Sequence, residues 1–238
     1  MGRAVQAEAE QRGHTVVARF NSEHPLTDAA PSALAAADVA IDFSLPDVAL
    51  PHIEQYCQHQ QPAVIGTTGW YDDMDAVRSW IDTHEATVLY AANFSLGVAL
   101  LKRAVESVLP LLNALPDYDA FLHEVHHTKK VDSPSGTARM LGELLLGGLE
   151  RKTHIETETQ HQRIDPAALH VTAARGGTVF GEHDVRLDSP YDRVTLAHRA
   201  KNRRGFAFGA VRAAEWLVDA PRQGLFTLDD VLADWRGA

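Results

Sequence analysis

The chain has 238 residues, of which 45% are hydrophobic and 23% charged, and this balance excludes a disordered tail or a fibrous repeat. Its 22 Lys and Arg against 32 Asp and Glu give a formal charge of −10, which argues against nucleic acid or an anionic membrane as the main partner. The single Cys57 excludes an intrachain disulfide, and we find neither an apolar run long enough to span a bilayer nor a signal-peptide core. We therefore expect a cytoplasmic protein.

The first ninety-odd residues alternate between helix and strand patterns. An Ala-rich, charged segment from Gly2 to Arg12 predicts a short helix that Gly13 ends. Short β-branched or apolar runs predict strands, and longer amphipathic runs predict helices between them. The strands are expected over 14–20, 37–43, 63–66 and 86–91, and the helices over 51–59 and 74–83. This spacing predicts parallel βαβ units, which bind ligands at the carboxyl ends of their strands.

The pattern changes after residue 95. We expect a long helix over 98–112, a strand over 119–127 whose residues alternate between two faces, and a helix from Pro134 to about residue 150. Later stretches predict three antiparallel strands and a final amphipathic helix, over 155–162, 169–174, 184–198 and 207–218. The predicted fold is an α/β Rossmann-like parallel-sheet domain formed by residues 1–95 and 207–238. An α+β mixed-sheet domain is inserted at 96–206.

The segment from His123 to Ala138 is dense in polar residues and permits two interpretations. His123, Glu124 and His127 match the H-E-x-x-H pattern of zinc hydrolases, which needs both imidazoles one turn apart on a helix. The alternation around them favours a strand instead, where four residues at ~3.3 Å each separate the two imidazoles by about 13 Å. That separation is too large for one zinc ion with ligand distances of ~2.1 Å.

The second interpretation is an anion site at the start of a helix. Ser133 is predicted as the N-cap and Pro134 as the first helical residue, so that 135–137 would offer free backbone N–H groups and two hydroxyls. Lys130 and two imidazoles are only a few residues away. This combination suits a substrate that carries a carboxylate and a proton donor that titrates near neutral pH.

Two further segments follow predicted strands of the first domain. Gly66-Thr67-Thr68-Gly69 comes after one strand, and Ala91-Ala92-Asn93-Phe94-Ser95 comes after the next. Both positions are strand carboxyl ends, where a nucleotide would lie in a doubly wound sheet.

These segments together resemble the dihydrodipicolinate (4-hydroxy-tetrahydrodipicolinate) reductase family. The defining stretch runs from Glu124 through His126-His127 and Lys130 to Ser135-Gly136-Thr137-Ala138. The resemblance extends over almost the whole chain and includes shorter stretches, at 43–46, 66–69, 91–95, 175–177, 181–183 and His198. The family implies an NADPH- or NADH-dependent reductase of lysine and diaminopimelate biosynthesis, with a dinucleotide-binding domain, a domain for substrate binding and oligomerisation, and assembly as a homotetramer.

The same resemblance implies roles for individual residues. His126 would donate the proton and Lys130 would assist as an acid. The substrate, a small dicarboxylate, would be held by His127, Ser135, Gly136 and Thr137. The dinucleotide would be lined by residues at the strand ends and at the start of the chain, namely Gly2, Arg3, Asn21, Ser22, Gly66, Thr67, Thr68, Ala91, Ala92, Asn93 and Phe94. No structural metal is expected.

Two places depart from the family pattern. Met1-Gly2-Arg3 matches only the end of the family's first Gly-rich loop, so we expect that the natural protein begins earlier and that this chain binds the dinucleotide weakly. Asn21 and Ser22 stand where an acidic residue would bind a ribose hydroxyl, which predicts that NADPH is accepted. Besides the zinc hydrolase, a non-catalytic Rossmann-like binding protein remains an alternative.

Overall fold

The computed structural model describes residues 1–26 and 31–237, which form two compact units. The first comprises Met1–Ser95 and Arg203–Ala238, and the second, Leu96–Asn202, is inserted between these segments. A parallel sheet in the first unit and a mixed sheet in the second confirm the predicted fold class. The chain returns to the first unit at Arg203 instead of residue 207, because the helix expected there begins earlier, at Arg204. The functions predicted for the two domains stay predictions.

The first unit contains a four-stranded parallel sheet in the order β1-β2-β3-β9. Its strands are β1 (Ala40–Asp42), β2 (Ala63–Ile65), β3 (Thr87–Tyr90) and β9 (Gly224–Thr227). Its helices are α1 (Gly2–Gln11), α2 (Pro31–Ala35), α3 (Pro46–Gln58), α4 (Met74–His84, after a 3-10 turn at Tyr71–Asp73), α7 (Arg204–Val218) and α8 (Leu228–Gly237). The strand β9 and the helix α8 were not predicted. The strand has four residues and runs directly into the helix, so the segment shows no clear hydrophobic period.

Two apolar clusters use alternate side chains of this sheet. Ala40 and its neighbours on β2 and β3 pack with α3 and α4, while Ile41 packs with the cluster that joins α1 to α7. Alternation along a strand sends successive side chains to opposite faces, so the sheet has helices on both sides. The apolar faces of the helices therefore hold the strand ends in place.

The strand predicted over 14–20 is wrong, since this segment forms no ladder in the described chain. The edge strand β1 pairs with β2 and with no other described strand. A β-branched composition favours extended backbone but does not supply a hydrogen-bonding neighbour.

The second unit contains a five-stranded mixed sheet in the order β5-β6-β4-β7-β8. Its strands are β4 (Asp119–His126), β5 (His154–Glu156), β6 (Ala168–Arg175), β7 (Glu182–Asp188) and β8 (Arg193–Arg199), and its helices are α5 (Leu96–Ala114) and α6 (Gly136–Gly148). Of the later strands predicted to be antiparallel, β7 and β8 are antiparallel to each other, and β7 is also antiparallel to β4. The strands β5 and β6 run parallel to each other, and β6 runs parallel to β4. The helix α6 lies between β4 and β6 in sequence, and such a crossover is what joins parallel strands.

Leu residues of α5 and α6 form one core with the inward side chains of β4, β6 and β7. This core fixes one face of β4 against α6 and thereby positions the polar residues near the end of that strand. None of the described helices is both long and apolar enough to cross a membrane.

Candidate active site

The strand β4 carries the central side chains of the site on its buried face. Burial alternates along the strand, and Ala120, Leu122, Glu124 and His126 are its four buried residues. The first two belong to the apolar core, while Glu124 and His126 continue the same face beyond it. The period of two therefore brings a carboxylate and an imidazole together at the end of the strand.

Glu124 is completely buried and accepts hydrogen bonds from three donors. One oxygen, Oε1, accepts from the Arg175 guanidinium at 2.8 Å and from the Ser135 N–H at 3.1 Å, while Oε2 contacts Nδ1 of His126. Burial alone would raise the pKa of Glu124, but the three donors outweigh burial and the pKa is lowered. Glu124 is therefore an ionised acceptor, which makes Nδ1 of His126 the protonated ring nitrogen.

A second imidazole lies against the first. The rings of His126 and His183 are 5.2 Å apart and nearly perpendicular, and His183 is buried. Burial lowers the pKa of His183 to about 4, with the neighbouring His126 as the next cause, so His183 is neutral at pH 7. Burial also lowers the pKa of His126, against the opposing hydrogen bond to Glu124.

The helix α6 begins two residues later than predicted, at Gly136 instead of Pro134. Ser135, not Ser133, is the N-cap: its backbone is extended and its Oγ accepts from the Ala138 N–H at 3.2 Å. The prediction of a free N–H at Ser135 is wrong, because this group donates to Glu124, and Ser135 Oγ also lies 3.2 Å from Nε2 of His183. Gly136 is exposed and has open space where a side chain would be, so a ligand can approach its backbone.

The loop between β4 and α6 carries the other predicted substrate residues. His127 donates its backbone N–H to Val179, and its Nδ1 is buried without a hydrogen-bond partner among the residues that the structure describes. Lys130 Nζ lies 2.8 Å from the carboxylate of Asp132. The hydrogen bond from Lys130 is the main reason that the pKa of Asp132 is lowered, and a bond from the Gly136 backbone adds to it. Asp132 thus places a carboxylate between Lys130 and the start of α6.

The geometry contradicts the zinc-hydrolase interpretation. His123 and Glu124 lie on a strand, on opposite faces, and Nδ1 of His123 is 2.8 Å from the Thr172 hydroxyl. Over residues 1–26 and 31–237, the group of His and carboxylate side chains close enough to share a cation is Glu124, His126 and His183. The guanidinium of Arg175 contacts the same carboxylate and would oppose a metal ion there.

In the first unit, Gly66, Thr67 and Thr68 follow β2 at its carboxyl end, as predicted. The buried Asp42, the last residue of β1, holds this loop: its Oδ1 accepts from Thr67 Oγ1 at 3.2 Å and from the Ser44 N–H at 2.8 Å. Its Oδ2 lies within hydrogen-bond distance of Nδ1 of His52 and the hydroxyl of Tyr56, at 2.8 and 3.2 Å. Burial would raise the pKa of Asp42, but the hydrogen bonds from His52 and Ser44 outweigh burial and lower it.

Most of the other predicted dinucleotide residues lie in loops held by short-range hydrogen bonds, and two lie at the start of α1. Ala91 to Phe94 follow β3, where Asn93 Oδ1 accepts from the Ser95 N–H at 2.8 Å and Phe94 is buried against Phe43. Gly2 and Arg3 form the exposed first turn of α1. The exposed Asn21 accepts from the backbone N–H groups of residues 23 and 24, so its side chain closes its own turn, and Ser22 is exposed beside it.

These strand ends fit a dinucleotide in their donor chemistry. They present hydroxyls and backbone groups, including Ser44 Oγ and Thr67 Oγ1 at 3.4 Å from each other. The nearby carboxylate of Asp42 is buried and already accepts several hydrogen bonds, which leaves it inward and away from solvent. Polar groups of this kind suit ribose hydroxyls and phosphate oxygens.

Four residues of the site in the second unit have no role predicted from the sequence alone. Arg175, Gly181 and His183 lie in short stretches that resemble the family, and Glu124 opens its defining stretch, but none of the four has a predicted role in the reduction. The alternation of β4 already places Glu124 and His126 on one face, and that was the available signal. The other three residues reach the site because β4 pairs with β6 and β7, and no local sequence pattern indicates that pairing.

Matches to known protein families cover both units. Family models described as dihydrodipicolinate reductase, N-terminus and C-terminus, match residues 1–94 and 97–232. The chain belongs to the dihydrodipicolinate reductase family. A 4-hydroxy-tetrahydrodipicolinate reductase from Christiangramia forsetii is 36% identical over 98% of this chain and 94% of its own length. The enzyme of the same name from Natronomonas pharaonis is 42% identical over 92% of this chain and 90% of its own.

A solved structure shares the fold. The dipicolinate-bound dihydrodipicolinate reductase from Paenisporosarcina sp. TG-14 matches with a TM-score of 0.73, covering 95% of this chain and 92% of that chain at 18% sequence identity. At this identity the likeness supports the fold, and membership of the dihydrodipicolinate reductase family rests on the sequence relatives.

Proposed function

We propose that this chain catalyses the NADPH- or NADH-dependent reduction of 4-hydroxy-tetrahydrodipicolinate to tetrahydrodipicolinate, a step of lysine and diaminopimelate biosynthesis. The observation that carries the proposal is the buried Glu124–His126 pair beside the Ser135 cap of α6, in a chain of this family. It joins a proton donor to a helix N-terminus that favours an anion.

In this proposal His126 protonates the substrate carbon next to the one that is reduced. Its Nδ1–H is held by Glu124, so Nε2 is the nitrogen that delivers the proton. Although burial lowers the pKa of His126, a substrate with two carboxylates brings negative charge and raises the pKa again. Lys130 assists as an acid, including in the loss of the ring hydroxyl as water.

One carboxylate of the substrate would be held at the start of α6. Gly136 and Thr137 lie in its first turn, where backbone N–H groups and the helix dipole favour negative charge, and Ser135 and His127 complete the set. Lys130 would then exchange the carboxylate of Asp132 for that of the substrate. Such a pocket would be locally positive, although the chain as a whole has a net negative charge.

The first unit would hold the dinucleotide along the carboxyl ends of β1, β2 and β3. The residues proposed to line it are Gly2, Arg3, Asn21, Ser22, Gly66, Thr67, Thr68 and Ala91 to Phe94. When bound, the reduced nicotinamide supplies the hydride. No carboxylate at Asn21 or Ser22 repels a 2′-phosphate, and Arg19 is nearby in sequence, which supports acceptance of NADPH as well as NADH.

Domain roles, assembly and location are part of the same proposal. Residues 1–95 and 207–238 bind the dinucleotide, and residues 96–206 bind the substrate and form the contacts of a homotetramer in the cytoplasm. The sheet of the second unit ends in β8, which pairs only with β7 among the described strands and exposes Val194; Tyr191, in the turn before it, is exposed as well. An edge of this kind supports an assembly contact.

A coupled assay tests the function. The upstream synthase generates the substrate, this protein is added, and the loss of NADPH or NADH absorbance is followed, with reactions lacking the synthase as the control. We expect oxidation that depends on the synthase and is inhibited by dipicolinate, the ligand of the Paenisporosarcina protein, in competition with substrate. Absence of oxidation with both cofactors would contradict the proposal and favour the non-catalytic binding protein.

A further inference from the structure

The carboxylate of Glu124 is held in one orientation against the imidazole of His126. It is two residues before His126 on the same face, it is fully buried, and each of its oxygens has a different neighbour. Oε1 is fixed from two sides, by the β6 residue Arg175 and by the backbone of the cap residue Ser135. With Oε1 fixed, Oε2 cannot rotate away from the imidazole of His126.

Arg175 extends this arrangement to the loop that follows β4. The same guanidinium nitrogen that contacts Glu124 also donates to the Asp132 carbonyl at 2.6 Å, and the other terminal nitrogen donates to its own neighbour Ala174 at 2.7 Å. Arg175 therefore links the end of β6 both to the Glu124 carboxylate and to the segment that carries Lys130. Rigid donors in a planar fork suit such multiple contacts better than the single ammonium of a lysine.

The opposite side of the His126 ring has space that a glycine provides. A side-chain carbon built on Gly181 would lie 2.8 Å from Nε2 of His126, closer than such contacts are found. Gly181 also has φ of +146°, a backbone conformation that other residues rarely adopt. Nδ1 of His126 is thus held by Glu124, whereas Nε2 faces the space that the missing side chain of Gly181 leaves.

We propose that Glu124 and Arg175 are positioning residues for the reduction. Glu124 holds Nδ1–H of His126 so that Nε2 delivers the proton, and Arg175 anchors Glu124 and the Lys130 loop in that arrangement. The inference rests on the proposed function, since it assigns the proton to a nitrogen of the same histidine.

Four charged or titratable groups face the His126 ring, whose pKa is lowered chiefly by burial. They are Glu124 on β4, Arg175 on β6, His183 on β7 and Lys130 in the loop. Burial lowers the pKa most, Glu124 raises it, and the two cations lower it. Removing the carboxylate and removing the guanidinium should therefore move the pKa of His126 in opposite directions.

The first test is Glu124→Gln. The amide keeps the shape, but its oxygen is needed by the Arg175 and Ser135 donors, so its NH₂ group faces Nδ1 and disfavours the imidazolium. Because a proton donor fails as pH rises through its pKa, we expect the basic limb of the kcat–pH profile to move to lower pH. We expect kcat at pH 7.5 to fall on the order of 10²-fold, with a smaller change in KM.

Two further variants separate positioning from folding. Arg175→Gln removes a cation, so its basic limb should move to higher pH while kcat falls. Asp119→Asn makes the same carboxylate-to-amide change at the other end of β4, where it also removes an ion pair with a buried cation, Lys152, and it should leave the profile unchanged. A wild-type pH profile in Glu124→Gln, or shifts in the same direction for both site variants, would overturn the inference.

A measurement on the unaltered protein applies even if a variant fails to fold. In ¹⁵N-histidine NMR spectra, neutral His126 should carry its proton on Nδ1, and the opposite tautomer would overturn the inference. Inactivity of the unaltered protein in the coupled assay would count against the proposed function alone, because the tautomer is observed without substrate or cofactor.

Discussion

In the second unit the candidate chemical groups are side chains held by partners far away in sequence, whereas in the first unit many candidate binding groups lie in turns closed locally. Glu124 and Arg175 are 51 residues apart, and Ser135 and His183 are 48 apart. By contrast, Asn21 and Asn93 each accept from a backbone N–H two residues later. The second site therefore depends on strand pairing, and the first depends mainly on turn chemistry.

This difference has a consequence for how substitutions should act. A side chain that moves a proton contributes to the transition state, so its loss lowers kcat. A loop that presents hydroxyls and amides to a cofactor contributes to the ground state and the transition state alike, so its loosening raises KM. The following substitutions test whether changes in the second unit lower kcat and changes in the first unit raise KM.

The largest effect is expected from the proton donor. Replacing His126 with Gln removes the only proposed route of a proton to the substrate carbon, and replacing Lys130 with Ala removes the assisting acid. Each change should lower kcat about 10²-fold or more, with little change in the KM for the dinucleotide. Steady-state kinetics in the coupled assay measure this, and an unchanged kcat in His126→Gln would refute its role as donor.

Gly181→Ala should follow, because a methyl group would lie in the space beside Nε2. The ring of His126 cannot move aside while Glu124 holds its other nitrogen. We expect kcat to fall on the order of 10- to 100-fold, the scale of a small misplacement of a reacting group. Gly177→Ala is the matched control: its φ of +53° is also strained for alanine, but no atom lies within 4 Å of the added carbon.

The two glycine variants are distinguishable by stability and rate together. Both should lower the free energy of unfolding by about 1–3 kcal/mol because of backbone strain, as urea titration would show. Only Gly181→Ala should lower kcat. Equal kcat values in the two variants would mean that the space beside Nε2 is not used.

The units also differ in what the sequence could predict. Periodicity sufficed for β1, β2 and β3 of the first unit and for the alternation of β4, because these patterns are local, but it also predicted a strand over 14–20 that does not form and missed β9. It could not place Arg175, Gly181 or His183 beside Glu124, since nothing in the sequence around 124 specifies which strand pairs with β4. The N-cap was predicted two residues early because Ser133-Pro134 and Ser135-Gly136 both suit a helix start, and only the Ala138 contact decides between them.

The carboxylate of Asp42 tests the first unit, where a substitution is expected to change KM instead of kcat. In Asp42→Asn, one amide group cannot accept on both sides, so either the Thr67 and Ser44 contacts or the His52 contact is lost. Because a hydrogen bond to a charged group is worth about 1.5 kcal/mol or more, we expect KM for NADPH to rise about tenfold with kcat nearly unchanged. Asp38→Asn, an exposed carboxylate just before β1, is the control. A fall in kcat without a change in KM would contradict the division between the units.

The smallest effect is expected at Asp132, the carboxylate that contacts Lys130 at 2.8 Å. The side chain of Asp132 is half exposed, so this ion pair is weak, of the order of 0.2–1 kcal/mol. If the substrate displaces it, then Asp132→Asn removes a competitor and should lower KM for the dicarboxylate by about 1.5- to 5-fold, while KM for NADPH stays the same. The gain should shrink at high salt, because an exposed pair is already screened there. A raised KM would mean instead that Asp132 orients Lys130 for binding, so this one measurement decides whether the Asp132 carboxylate competes with the substrate or prepares its site.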